Sequence, residues 1–227
     1  MKTGHLNRVF TIEPRWDLDP AEAIVLQRRL SCFVINKSTL KAVRTVAGVD
    51  TAYRNNVARA AVVMMTYPAL ETIGEAVAER GINYPYIPGL LTFREGPAVL
   101  AALSQLETLP DLLIFDGQGI AHPRHCGIAS HIGVLTDIPA IGCAKTKLVG
   151  QYDEPAQQRG SYTLLTHKGQ SIGAVVRTRT NVSPVFVSTG HRVSLRDSVR
   201  IVLDCCRGYR LPETTRRADH LAAFPDK

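Results

Sequence analysis

Thr45-Val46-Ala47-Gly48-Val49-Asp50-Thr51-Ala52-Tyr53 is a β-prone run that carries a carboxylate near its end. Two more strands follow, Ala58 to Thr66 and Thr72 to Ala78, with Asn55-Asn56 in the first turn and Tyr67-Pro68 in the second. Three strands joined by short links predict an antiparallel meander. The period then changes. Glu95-Gly96-Pro97 opens a helix expected to run to about Leu109, and Leu112-Leu113-Ile114-Phe115 reads as a strand buried on both faces, closed by Asp116-Gly117. Cys126 to Leu135 reads as helical and Pro139 to Lys145 as a second buried strand. Further strands are expected around Ser161 to Leu165, Ile172 to Thr178 and Val185 to Ser188, then helices from Ser194 to Tyr209 and from Pro212 to about Phe224. Upstream, Asp19-Pro20-Ala21-Glu22 starts a helix through Leu30, with Asp as cap and Pro in the first turn. A meander followed by β-α-β units predicts an α/β fold, a mixed sheet flanked by helices on both faces.

No repeat, low-complexity stretch or Pro/Gly/Ser-rich linker divides the 227 residues, so one domain over 1–227 is expected. Apolar residues at 45% and charged residues at 21% exclude intrinsic disorder. No apolar run is long enough to span a bilayer, and Met1 to Arg8 lacks the apolar stretch of a secretion signal. A cytoplasmic protein without membrane contact is expected. The five cysteines form no C-x-x-C and are odd in number, which favours free thiols over a disulfide framework or zinc ribbon. For His122 and His125, a zinc site lacks a second pair at ligand spacing. Lys plus Arg exceed Asp plus Glu by 27 to 20, an excess that suits a phosphate-rich partner without requiring one.

The acids carry the chemistry. Asp50 and Asp116 each end an apolar strand, where an unpaired buried charge is expensive. Either alone reads equally as a helix cap or turn former. Together, on strands that can be neighbours, they repel, and a divalent cation neutralises them most simply. Glu95 and Asp219 are further candidates. Four such acids at one sheet edge would form a hard, oxygen-rich site for Mg²⁺ or Mn²⁺, which points to a metal-dependent nuclease.

Longer motifs narrow the reading. Val46 to Asp50, Tyr84-Pro85-Tyr86-Ile87-Pro88-Gly89-Leu90-Leu91-Thr92-Phe93-Arg94-Glu95 and Phe115-Asp116-Gly117-Gln118-Gly119-Ile120-Ala121-His122-Pro123-Arg124 resemble the endonuclease V (deoxyinosine 3′ endonuclease) family. Gly127 to His131, Ile141 to Lys145, Gly190 to Leu195 and Leu211 to Asp219 continue the resemblance in order over nearly the whole chain. It implies an RNase H-like fold and Mg²⁺-dependent hydrolysis, with Mn²⁺ as substitute, of the second phosphodiester 3′ to deoxyinosine in DNA. By motif position Asp50, Glu95 and Asp116 would bind the metal, Lys145 would meet the phosphate or attacking water, and Asp219 or the adjacent His220 would be the fourth site residue. A monomer is expected.

The resemblance makes Pro85-Tyr86-Ile87-Pro88 a strand-separating wedge. Two prolines stiffen the loop, so an aromatic between them can enter a base stack at small entropic cost. Read alone, the segment is also a rigid turn with Tyr86 packed on the core. The same resemblance places the pocket for a flipped hypoxanthine near Gly89, Leu91, Gly117, Gly119, His122 and Ile128. Gln118 stands where many relatives have His, and Thr214 where many have Pro. Two other functional classes stay open at this point: a nuclease for inosine in RNA, and a non-catalytic binder of deaminated nucleic acid.

Overall fold

The computed structural model describes residues 11–40 and 42–225, so the reading of Met1 to Arg8 lies outside the described residues. Helix α1 (Pro20–Ser31) opens on the expected cap: Glu22 N–H donates to the Asp19 carboxylate while Asp19 N–H donates to Glu22. The meander forms as β1 (Thr45–Arg54), β2 (Val57–Thr66) and β3 (Thr72–Gly81). Asn55 and Asn56 both take positive φ in the first link, a conformation asparagine tolerates well. Helix α2 (Thr92–Leu103), β4 (Leu112–Phe115), α3 (Ile128–Thr136) and β5 (Ala140–Ala144) follow. The chain then forms β6 (Tyr162–His167), β7 (Gln170–Val176), β8 (Val185–His191), α4 (Leu195–Asp204) and α5 (Glu213–Ala222).

Several boundaries differ from the sequence reading. Helix α2 starts at Thr92, because the turn in which Leu90 N–H meets Ile87 O passes directly into it through Phe93 N–H to Leu90 O. It stops at Leu103, where Ser104 Oγ folds back onto Ala101 O. Helix α4 ends at Asp204 rather than Tyr209, since Cys205 N–H closes the last turn on Ile201 O and Gly208 takes φ +79° beyond it. Strand β8 runs to His191 because Thr189 and His191 continue its pairing with Ile141 and Ala140.

The eight strands order as β3-β2-β1-β4-β5-β8-β7-β6. The meander pairs antiparallel, β1-β4 and β4-β5 pair parallel, and β8, β7 and β6 extend the sheet antiparallel. This is the mixed sheet expected, with the 3-2-1-4-5 core of an RNase H-like fold. Strand alternation splits the core between two faces. Ala47, Val49, Leu113 and Phe115 pack toward α2 and α3, whereas Val46, Leu112 and Ile114 pack toward α4 and α5. Among the described residues no helix is long and apolar enough to cross a membrane, and all five cysteines are free.

On the α3 side, His131 is fully buried 5.5 Å from the Trp16 ring and 5.4 Å from Phe93. Neither ring nitrogen has a hydrogen-bond partner among the described residues, and burial lowers its pKa to about 3. An unfolded histidine titrates near 6.5, so acid protonates the unfolded chain first and stability falls as pH drops below about 6.5. His131→Phe keeps an aromatic ring there without the titration. In urea unfolding, the wild type should lose about 1 kcal/mol more than this variant between pH 7.5 and 5.5. Equal losses would show that His131 carries none of the acid sensitivity.

Candidate active site at the end of the central strands

Asp50 does not end its strand as expected: β1 continues to Arg54 along β2, and Asp50 is the first residue past its pairing with β4, while Asp116 directly follows β4. Val49 pairs with Phe115 in parallel register, and Asp116 N–H donates to Val49 O at 3.1 Å, so both acids stand at the same end of the sheet. Gly48, two residues before Asp50, is the site of closest helix approach. A Cβ there would lie 2.1 Å from Thr214 O, so only glycine lets the start of α5 rest on β1. That approach sets α5 so that Asp219 helps to raise the pKa of Asp50. Lys145, one residue past β5, places Nζ 2.6 Å from Asp116 Oδ2 and 3.7 Å from Asp219 Oδ1.

Glu95 arrives from α2, on the other face. It is only 8% exposed and accepts a hydrogen bond from the Tyr53 hydroxyl. The Arg94 guanidinium next to it lies 5.5 Å from the Tyr53 ring centroid and 5.9 Å from that of Tyr86. Burial pushes Glu95 up to about 7 against the Tyr53 hydrogen bond, with Asp116 adding to the rise. Burial, with the Asp116 charge adding to it, raises Asp50 to about 8. Asp116 is raised by burial and pulled back by Lys145. Burial opposes the charge on Lys145, but Asp116, Asp50 and Asp219 outweigh it and raise its pKa.

Asp50, Asp116, Lys145 and Asp219 are thus drawn together, while Glu95 is turned toward Tyr53. His220, the other fourth-residue candidate, has no place in these contacts. Among the described residues no three His, Cys, Asp or Glu side chains are gathered closely enough to hold an ion. The donor chemistry still fits a divalent cation. The acids supply oxygen only, and the raised Asp50, Asp116 and Glu95 represent more potential negative charge than one lysine offsets.

A cleft of about 400 Å³ runs from this acid pair to the proline-rich loop. Of the residues placed by resemblance at the wedge and base pocket, Tyr86, Ile87, Pro88, Gly89, Leu91, Gly117, His122 and Ile128 line this cleft; Pro85 and Gly119 do not. Gly119 sits behind the wall, its N–H donating to Ser188 Oγ at 2.9 Å. The loop is pinned at its base and free at its tip. Tyr84 is buried and stacked on Phe93 at 5.3 Å, whereas Tyr86 is 70% exposed and not packed on the core. Gln118 lines the cleft too, donating to Thr146 O at 2.9 Å.

Sequence reading passed over several contributors. Tyr53 came from an ordinary strand position and gave no signal of its hydrogen bond to Glu95. Thr146, Lys147 and Leu148 line the cleft beyond Lys145, and Lys147 adds a second cation. The dense basic composition masked it. Arg210 Nη2 donates to Lys145 O at 2.6 Å and to Pro184 O at 2.9 Å, holding the strand end that carries Lys145.

Comparison with known proteins agrees with this architecture. Residues 28–220 match the Endonuclease V family model. Endonuclease V of Roseiflexus sp. (strain RS-1) is 53% identical over 208 residues, covering 92% of this chain and 94% of its own. The crystal structure of the Endonuclease V from Streptomyces avermitilis is similar at a TM-score of 0.87 and 43% identity, over 93% of this chain and 94% of that one. A Ciona intestinalis Endonuclease V, crystallised in complex with a 24mer DNA containing an inosine followed by a ribo-adenosine, matches at a TM-score of 0.77 and 27% identity, over 89% and 95%. The chain belongs to the endonuclease V family of DNA-cleaving hydrolases, nucleases that typically need a divalent metal.

Proposed function

We propose that this chain is a Mg²⁺-dependent DNA repair endonuclease that recognises deoxyinosine and hydrolyses the second phosphodiester bond on its 3′ side. It acts as a monomeric single domain in the cytoplasm, a compartment in which five free thiols persist. One observation carries the reading: two adjacent half-buried carboxylates and a lysine border a cleft whose far rim is a stiff, exposed aromatic loop. The inosine-containing DNA held by the Ciona intestinalis relative supports the substrate.

Asp50, Asp116 and Glu95 are the residues to hold Mg²⁺, or Mn²⁺ in its place, with Asp219 beside Asp50. A bound divalent ion supplies Lewis acidity that activates water and stabilises the leaving oxygen. The chain's own groups do the rest. Lys145 Nζ keeps its proton beside Asp116 and offers a fixed positive charge to the scissile phosphate. Lys147 adds charge along the strand path. Tyr86, held by its flanking prolines, enters the stack vacated when the damaged nucleotide turns out. The pocket bounded by Gly89, Leu91, Gly117, His122 and Ile128, with Gly119 behind it, then reads the base. Hypoxanthine presents an acceptor at O6 and a donor at N1, whereas adenine reverses both and would leave pocket groups unpaired.

The test is an end-labelled strand bearing one deoxyinosine, incubated with the protein and Mg²⁺, beside a matched RNA strand. A single product cut one nucleotide beyond the base's own 3′ phosphodiester is expected. Chelation should stop the reaction and Mn²⁺ should restore it. Random cutting, or none, would reject the reading, and faster cutting of RNA would move the substrate to inosine in RNA. Asp50→Ala and Asp116→Ala should each lower the cleavage rate by at least about a hundredfold while strand binding persists. Near-wild-type turnover in either would sink the metal-site assignment.

Tyr86→Ala should leave the melting temperature unchanged, since the ring is 70% exposed. It should weaken capture of the inosine strand by about tenfold, the scale of one base-aromatic stack. Unchanged capture would remove Tyr86 from the recognition step.

A further inference from the structure

Gly89 closes the proline-rich loop at φ +82°, and its carbonyl is the most heavily bonded acceptor in the cleft wall. Three N–H donors converge on it: Arg124 Nη2 at 2.7 Å, His122 Nε2 at 2.9 Å and Gln27 Nε2 at 3.0 Å. The ring of His122 is fixed as well. Its Nδ1 accepts the Arg124 N–H at 3.2 Å, so Nε2 carries the proton, and burial lowers its pKa to about 4, which keeps it neutral. Behind it, Arg124 Nε donates to Gln27 Oε1 at 2.6 Å, and Gln27 Nε2 also reaches Cys126 O at 3.1 Å.

Gln27 is fully buried on α1, a helix that otherwise supplies nothing to the cleft. A buried amide is costly unless its donors and acceptor are matched, and a leucine would fill that face of α1 more simply. Here the amide bridges two functional segments. It touches the Gly89 carbonyl at the loop base and the Cys126 carbonyl just before Gly127 and Ile128, which line the opposite wall. A Cβ on residue 89 would come 2.8 Å from Arg124 Nη2 and 3.3 Å from His122 Nε2, so the hub also demands glycine there.

We infer that Gln27 and Arg124 are positioning residues for inosine selection. They lock the Gly89 peptide, and with it the spacing between the exposed Tyr86 and the pocket wall, so that base extrusion meets a preformed site. Neither side chain lines the cleft; both act through the Gly89 carbonyl. The inference rests on the inosine reading above and concerns how that selection is set.

The test uses the full chain with Gln27→Met, Arg124→Met and Arg124→Lys. Steady-state cleavage is measured on strands carrying deoxyinosine or deoxyadenosine at one position. Base extrusion is followed in Ca²⁺ by the fluorescence of 2-aminopurine placed beside the deoxyinosine. Gln27→Met and Arg124→Met should each lower kcat/KM on the inosine strand by about tenfold, with the loss falling on KM rather than kcat. The fluorescence rise should shrink in parallel. Arg124→Lys keeps one donor for the Gly89 carbonyl and should recover most of the loss, which a purely space-filling role would not produce. Melting curves identify a variant that does not fold; if Gln27→Met fails, the half-buried Arg124 pair decides. Folded variants with wild-type KM, selectivity and fluorescence would overturn the inference. A wild type that ignores the inosine strand would instead overturn the functional reading beneath it.

Discussion

Asp50 and Asp116 are neighbours because β1 and β4 run parallel with Val49 opposite Phe115, and this one pairing imposes an electrostatic problem that shapes the site. Burial raises both carboxylates, with the Asp116 charge adding to the rise at Asp50 and the Asp219 charge to that at Asp116, so the pair resists ionisation. The protein offsets part of that cost with Lys145, at 2.6 Å from Asp116. Ligands in open α/β sheets collect at the carboxyl ends of such strands, where the chain reverses order and a crevice opens. The cleft from Asp116 to the proline-rich loop follows that rule.

The rest of the molecule supports this end of the sheet from both faces. On one face, Gly48 lets α5 lie against β1 and so delivers Asp219. On the other, α2 carries Glu95 and begins in the same turn that ends the proline-rich loop, so Glu95 and the loop share one support. The loop combines a buried foot with an exposed tip: Tyr84 stacks on Phe93 while Tyr86 stands in solvent. An exposed aromatic on a stiff loop has little order to lose when it enters a base stack.

Much of this was legible in the chain. The period-2 runs from Thr45 to Ala78, the all-apolar Leu112 to Phe115 and the Asp19 cap each encode local structure through side-chain periodicity or hydrogen-bonding chemistry. Asp50 and Asp116 were visible because acids after apolar strands are rarely accidental. Asp219 and Lys145 were named by motif position, and the fold brings both beside the acid pair. Tyr53, Gln27 and Arg210 were not visible, since a tyrosine in a strand, a glutamine in an amphipathic helix and an arginine in a basic chain carry no local mark of a distant partner. The ends of α2 and α4 differ from the sequence reading because turns at Ser104 and Cys205 close them, not any break in apolar periodicity.

Local chemistry and spacing therefore determined which segments are strands and helices, and which acids follow apolar strand segments. Only the tertiary structure decided that Glu95 is held by Tyr53, that Lys145 stands between Asp116 and Asp219, and that the Gly89 carbonyl collects donors from α1 and from the segment after β4. These are encounters between residues 42, 29 and 74 positions apart for Tyr53–Glu95, Asp116–Lys145 and Lys145–Asp219, and 62 in the case of Gln27 and Gly89. Nothing in a local window reports them, because their partners are chosen by strand order and helix packing rather than by sequence neighbours.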